Sequence, residues 1–328
     1  MIKKIAQLCG ALGFALGIIA AQPASAMDHV SFRLNWYLGG LHTPFYLGKE
    51  RGYYKDEGID LTIHEGRGSA NTVEVTAAGS DTFGLADSSS LMLLAAKGAE
   101  VKAVMSLLNT SGFGVISLKQ TGIKTPKDLE GKRLAITAGD ALTQLFPAVV
   151  KYNRLDMNKI TLVQVNPAAK VVALLKKRVD ALLGGLDDQY FLVKAKGFHP
   201  AALPFAKNGA NTIGMVILTQ ASTIKNKPDM VRRFVKATIR SWKAAIADPD
   251  AAIAAALKVK PDLNRESTKE QLLEDISLMQ SPATKGHPIG WGAKSDWNKT
   301  KELLTQYRNL KTDKPASYFY TDKFIPKK

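Results

Sequence analysis

The stretch Gly79-Ser80-Asp81-Thr82-Phe83-Gly84-Leu85-Ala86-Asp87-Ser88-Ser89-Ser90 holds a turn, a short apolar run and a helix-starting cluster in twelve residues. Thr82 to Ala86 reads as a buried strand. Asp87-Ser88 reads as a cap, and Ser89 to Ala96 as a helix ended by Gly98. A second stretch repeats the plan. Arg178-Val179-Asp180 precedes the short strand Asp180 to Leu183, and Asp187-Asp188 caps a helix to Lys196. Two such units in corresponding places predict two related α/β lobes.

Outward from the first unit, Val30 to Trp36 alternates as a strand. Thr43 to Lys55 carries helical spacing, with Thr43 as cap and Pro44 in the first turn, where its missing N–H costs nothing. Ile59 to Ile63 is a strand, Ser69 caps a helix to Ala78, and Val101 to Leu108 is a strand. Outward from the second unit lie the strand Arg133 to Thr137, the loop Ala138-Gly139-Asp140 and a helical stretch to Asn153. Pro147 inside that stretch implies a late start or a kink. Ile160 to Val165 is a strand and Ala168 to Lys177 a helix. This alternation predicts parallel sheets covered by helices on both faces. After the strand Ile213 to Leu218 the chain turns helical. Pro228 to Ala247 places Val231, Phe234, Val235, Thr238, Ile239 and Trp242 at three- and four-residue spacings. Asp250 to Lys258, Ser267 to Met279 and Ser295 to Leu310 are further helices.

The 328 residues are 45% hydrophobic, enough for a core and against disorder or a disulfide-stapled miniprotein. Met1 to Ala26 has the form of a secretory signal: Lys3 and Lys4, an apolar run, then Ala24-Ser25-Ala26 as the cleavage site after Ala26. That predicts an exported, periplasmic chain. The single cysteine, Cys9, falls inside the signal, so no thiol chemistry follows it. The formal charge is +16, but no basic run is interleaved with stacking aromatics, so no nucleic-acid partner is expected. His29, His42, His64, His199 and His287 show no metal-ligand spacing. Neither a G-x-S-x-G elbow nor a phosphate loop is present, and Gly66-Arg67-Gly68-Ser69-Ala70-Asn71 lacks the third glycine of a dinucleotide turn. The expectation is a binding protein, not an enzyme, with no cofactor and no metal.

Open α/β sheets bind ligands at the carboxyl ends of their strands. The loops there present Ser69 and Asn71, Asp87 and Ser88, Gly139 and Asp140, and Asp187 and Asp188 at helix starts. Helix N-termini can hold an anionic or carbonyl-bearing ligand without a lysine; the alternative for Asp87, Asp140 and Asp187 is plain capping. One such end contributes about 0.3–1 kcal/mol, whereas a micromolar complex needs about 8 kcal/mol. Several loops must therefore converge.

Asn35-Trp36-Tyr37, then His42, then Tyr46-Leu47-Gly48-Lys49-Glu50-Arg51-Gly52-Tyr53-Tyr54-Lys55-Asp56-Glu57-Gly58-Ile59-Asp60 resembles a known opening. It is similar to the solute-binding proteins of ABC importers for nitrate, sulfonates, taurine and thiamine-pyrimidine precursors. Thr125-Pro126-Lys127-Asp128-Leu129-Glu130-Gly131-Lys132 resembles that family's entry to its second lobe, and Pro228 to Phe234 its long C-terminal helix. The resemblance implies a type II periplasmic-binding-protein fold, two doubly wound lobes with a ligand cleft between them. Residues 27–112 and 214–328 would form lobe one, and 113–213 an inserted lobe two. It implies a monomer that passes a small molecule to a membrane permease and its ATPase subunit. It also brings Asn35, Trp36 and His42 to the cleft, Trp36 as a flat surface and His42 as a neutral hydrogen-bond partner. Pyrimidine-binding members tend to have Pro-Asn before the histidine, where this chain has Leu38-Gly39-Gly40-Leu41. Thr110 to Phe113 and Asn211-Thr212 would be the crossings between lobes, eased by Gly112 and Gly114. The expected solute is planar or anionic: a sulfonate, an aromatic carboxylate or a pyrimidine. Two alternatives stand beside this reading: a pyridoxal-phosphate-dependent pyrimidine synthase, which in that family uses a lysine and a cysteine-rich segment, and a module feeding a sensor receptor.

Overall fold

The computed structural model describes residues 27–327; the signal peptide expected over 1–26, with Cys9, lies outside them. Ten strands build two five-stranded sheets. The first contains β1 (Asp28–Arg33), β2 (Ile59–His64), β3 (Phe83–Asp87), β4 (Val101–Ser106) and a late strand, β10 (Met215–Gln220), in the order β2-β1-β3-β10-β4. The second contains β5 (Phe113–Leu118), β6 (Arg133–Ile136), β7 (Thr161–Gln164), β8 (Ala181–Gly185) and β9 (Pro200–Pro204), in the order β7-β6-β8-β5-β9. The strands of the two matched units, β3 and β8, occupy the same central position in their sheets. The architecture is α/β, as the alternation predicts.

The sheets are mixed, not parallel. β10 runs antiparallel to both β3 and β4, and β5 runs antiparallel to both β8 and β9. These are the two strands by which the chain enters the second sheet and returns to the first, so each arrives from the opposite end. β5 and β9 are elements that the sequence pattern does not announce. Gly112 and Gly114 make the start of β5 look like a loop, and β9 begins and ends in proline, which an edge strand tolerates because its outer N–H groups need no partner.

Helix Pro228–Ala247 buries Val231, Phe234, Val235, Thr238, Ile239 and Trp242, the six positions its periodicity selects. Phe234 stacks on Phe83 at 4.0 Å and meets Phe32 edge-on at 5.5 Å, which ties the C-terminal part of the chain to the first sheet. Each such side chain contributes about 1.5–3 kcal/mol by burial. The predicted helix over 43–55 breaks into Thr43–Glu50 and Tyr53–Asp56 because Gly52 takes φ +74° between them. Helix Ala141–Tyr152 starts where the loop ends and runs through Pro147, so no late start occurs. Among the described residues, no helix is long and apolar enough to cross a membrane.

Candidate binding cleft

The carboxyl ends of β1, β2, β6 and β8 face each other across a cleft of about 600 Å³, open solvent included. Its floor is formed by Phe113 and Met215, the first residues of the two crossing strands. Direct contacts join its sides: the Ala70 N–H donates to the Gly139 carbonyl at 3.2 Å, and Ser90 Oγ donates to Gln144 Oε1 at 3.3 Å.

One wall is the loop after β1. β1 stops at Arg33, so Trp36 lies beyond the strand rather than at its end. The loop is held by backbone bonds from the glycine-rich segment, with the Gly66 N–H donating to the Trp36 carbonyl and the Gly68 N–H to the Asn35 carbonyl. A Cβ on Gly66 would stand 1.9 Å from the Leu34 carbonyl oxygen, so only glycine allows this approach. That is the role of the Gly66-Arg67-Gly68 segment.

His42 is buried on this wall, and both its ring nitrogens are committed. Nδ1 accepts from the Gly39 N–H at 3.1 Å, which leaves the ring proton on Nε2 to donate to Asn35 Oδ1 at 2.9 Å. Burial, and then the charge of Lys260, lower its pKa to about 3. A neutral imidazole thus fixes Asn35 by its oxygen and leaves the Asn35 amide hydrogens without a partner among the described residues. Trp36 is half-buried beside it.

The opposite wall is charged. Lys170 is 1% exposed, and its Nζ donates to Asp140 Oδ2 at 2.6 Å and to the Leu183 carbonyl at 2.9 Å, 5.7 Å from the Trp36 ring centre. Asp140 caps its own helix, accepting from the Thr143 N–H at 2.7 Å. Asp187 and Asp188 complete the wall with Gln189, whose Oε1 accepts from the Gly185 N–H at 2.7 Å. Burial pushes the Asp187 carboxyl up to about 6. Burial and the neighbouring Asp187 push Asp188 up to about 7. No arginine is among the lining residues.

Of the residues singled out from sequence, Asn35, Trp36, His42, Ser69, Asp140, Asp187 and Asp188 line the cleft. Four do not. Asn71 is exposed, and Gly139 is engaged by its carbonyl with Ala70 at the lobe contact. Ser88 donates to the Ile213 carbonyl at 2.6 Å beneath the floor. Asp87 is fully buried: its Oδ1 accepts from the Ser89 N–H at 2.9 Å, its Oδ2 has no partner, and burial pushes its pKa up to about 7. Two expected caps are also corrected. Ser69 Oγ accepts from the Asp87 N–H rather than capping its own helix, and neither Asp187 nor Asp188 makes a side-chain cap to helix Gln189–Ala195. The cleft residues that the sequence reading passed over include Lys170, Gln189, Phe113 and Met215. Lys170 sits in a helical run where an exposed lysine is the ordinary reading, and only the tertiary fold buries it.

Pyridoxal phosphate does not fit this donor set. Lys170, the one lysine among the lining residues, is tied by Asp140 and the Leu183 carbonyl, and a phosphate here would face Asp187 and Asp188. Among the described residues no cluster of His, Cys, Asp and Glu could hold a metal ion.

Two mixed α/β sheets with a cleft at their strand ends define the periplasmic-binding-protein fold. The alkanesulfonate-binding protein SsuA from Xanthomonas axonopodis pv. citri, solved with bound MOPS, superposes with a TM-score of 0.69 at 18% identity, over 92% of this chain and 99% of that one. The chain belongs to the NMT1/THI5-like family, whose model matches residues 40–252. Relatives include a 4-amino-5-hydroxymethyl-2-methylpyrimidine phosphate synthase, THI11, of Saccharomyces cerevisiae. It is 24% identical over 91% of this chain and 88% of its own. The riboflavin-binding protein RibY of Chloroflexus aurantiacus is 23% identical over 93% and 88%.

Proposed function

We propose that the chain is the exported, periplasmic solute-capturing component of an ABC importer, which closes two lobes over a small planar molecule and delivers it to a permease and its ATPase subunit. The observation that carries this reading is the pairing of walls. A half-buried indole and a fixed carboxamide on one side meet acidic side chains and a buried lysine on the other, and every polar group is committed to holding its neighbour or free to hydrogen-bond. The Lys170 amine and the His42 imidazole, the two groups most suited to attack or proton transfer, are both tied up.

The same cleft favours an uncharged or protonated heterocycle over an anion. The helix starts that would receive an anion carry the chain's own carboxylates, Asp140 at one and Asp187-Asp188 at the other. An aminopyrimidine or a flavin ring offers N–H donors to those carboxyls, acceptors to Asn35 and a flat face to Trp36. A sulfonate or nitrate would face like charge.

The test is a thermal-shift screen of residues 27–328 against aminopyrimidines, flavins, sulfonates, aromatic carboxylates and nitrate. A cognate solute stabilises by about 2.7 kcal/mol at a hundredfold excess over Kd. Binding of a ring compound without conversion, followed by mass spectrometry, supports the proposal. Stabilisation by none of the classes, or turnover of the bound compound, overturns it. The synthase named among the relatives favours the second reading, an enzyme acting on a pyrimidine. Its signature would be an aldimine absorbance on adding pyridoxal phosphate, which the committed Lys170 argues against.

A further inference from the structure

The cleft does not end at the Trp36 indole. Next to it lies a chamber of about 750 Å³, open solvent included, and Trp36, Tyr37, Gly39, Asp188 and Gln189 line both spaces. The apolar surface of the chamber comes from Leu38 and Leu263, from Val171 on helix Lys170–Leu175, and from Leu192 on helix Gln189–Ala195. Leu192 is exposed, an apolar side chain left uncovered at the edge of that space. Two polar side chains complete the lining. Lys260 Nζ pairs with Glu65 Oε1 at 3.0 Å and lies 5.8 Å from the Tyr37 ring centre. Asp188 Oδ1 accepts from Gln271 Nε2 at 3.3 Å, and Gln189 Nε2 donates to Asp188 Oδ2.

This lining decides what a substituent on the solute can be. A phosphate or carboxylate reaching Lys260 competes with Glu65 and faces Asp188, while an ammonium reaching Asp188 faces Lys260. A wholly apolar chain covers the lysine N–H groups and the carboxylate lone pairs and gives them nothing, which costs the desolvation of each. An ammonium carries three donors, of which Glu65 takes one, and each carboxylate oxygen carries two lone pairs. A hydroxyl donates and accepts through a single atom, so it serves both kinds of group, and the carbons that carry it can rest on Leu38, Val171, Leu192 and Leu263. We propose that the solute is a flat ring bearing a neutral, hydroxylated side chain, with the ring against Trp36 in the cleft and the chain in the adjoining chamber. This rests on the solute-capturing reading and adds to it the half of the ligand that the ring does not account for.

The test is titration calorimetry with two series that hold the ring constant and change only what it carries. One is 1-methylcytosine, cytidine and cytidine monophosphate; the other is lumiflavin, riboflavin and flavin mononucleotide. In the series whose ring binds, the hydroxylated member should bind about thirtyfold more tightly than the methylated one, the gain of two neutral hydrogen bonds. The phosphorylated member should bind no more tightly than the hydroxylated one. Leu192→Trp fills the chamber from its exposed edge, where the fold tolerates a larger ring. It should erase most of that gain and leave the methylated member as in wild type. Lys260→Met should weaken the hydroxylated member alone, by about fivefold; Glu65 is exposed and stays solvated without its partner. Equal affinity for the methylated and hydroxylated members overturns the proposal and leaves the solute-capturing reading standing. So does a phosphorylated member that binds most tightly, or a Leu192→Trp variant that weakens both members alike. Failure of every member of both series to bind removes the ring-solute reading of the cleft, and this proposal with it.

Discussion

The two walls of the cleft differ in how they are made ready. The wall from the loop after β1 is neutral and fixed by backbone bonds: glycines at 66 and 68 hold it, and His42, uncharged, locks Asn35. The facing wall is ionisable, with Lys170, Asp140 and Asp187 buried and Asp188 half-buried beside them. The first is built from two short stretches, 35–42 and 66–68, joined by backbone bonds. The second draws on residues 140, 170 and 187–189 and exists only once β6 and β8 are side by side. A planar face can be presented by the first wall, and hydrogen-bond polarity selected by the second.

The sharpest break between them is Lys170→Met. It leaves Asp140 buried without its cation, and stranding one partner of a buried pair costs about 3–5 kcal/mol. Denaturant unfolding should show that loss, and the double variant with Asp140→Asn should regain part of it because the orphan charge is gone. An unchanged midpoint in Lys170→Met would mean the pair is solvated, and the walls would not differ as described. Trp36→Ala should act on binding instead. Losing a central aromatic anchor costs about 2 kcal/mol or more, roughly thirtyfold in Kd, while the half-exposed position leaves the unfolding midpoint near that of wild type. Calorimetry with the solute found by the screen reads this directly.

Acid and base should undo the walls in opposite directions. His42 has a folded pKa of about 3, below its unfolded value, so its neutral form holds the fold above pH 6.5 and that contribution is lost as pH falls. Asp187 and Asp188 have raised values, so their contribution is full below about pH 4 and is lost as pH rises through 6 to 7. His42→Gln can accept from Gly39 and donate to Asn35 without titrating. It should flatten only the acid limb of a stability-versus-pH curve, retaining about 1–2 kcal/mol more than wild type's loss between pH 6.5 and 5. A variant that flattens the alkaline limb instead would reverse the assignment.

How much of this is legible before folding follows the same division. Strand–helix alternation and the spacing in Pro228–Ala247 are local and periodic, and they mark the α/β class and the long helix correctly, though not the antiparallel crossing strands. Asn35, Trp36 and His42 stand out because the opening block resembles a known family. β5, with its glycines, and Lys170, inside an ordinary helical run, carry no local sign of their role; one becomes a crossing strand and the other a buried cation only through contacts made far along the chain. Asp87 is the instructive miss. It caps its helix as read, but that cap turns it under the floor, so a good local signal points to a position the cleft does not reach.

The finest discrimination falls on Asn35. His42 already consumes its oxygen, so only the amide hydrogens can meet a solute. Asn35→Ala removes those donors and also strands the His42 Nε2–H. Its effect on binding should be that of one neutral hydrogen bond, about 1 kcal/mol, or roughly fivefold in Kd. Asn35→Ser, which can still accept from the ring only by reaching further, should lie between. If Asn35→Ala instead cost as much as Trp36→Ala, the neutral wall would be reading solute polarity as well as shape. The division of labour between the walls would then have to be redrawn with Asn35 on the selecting side.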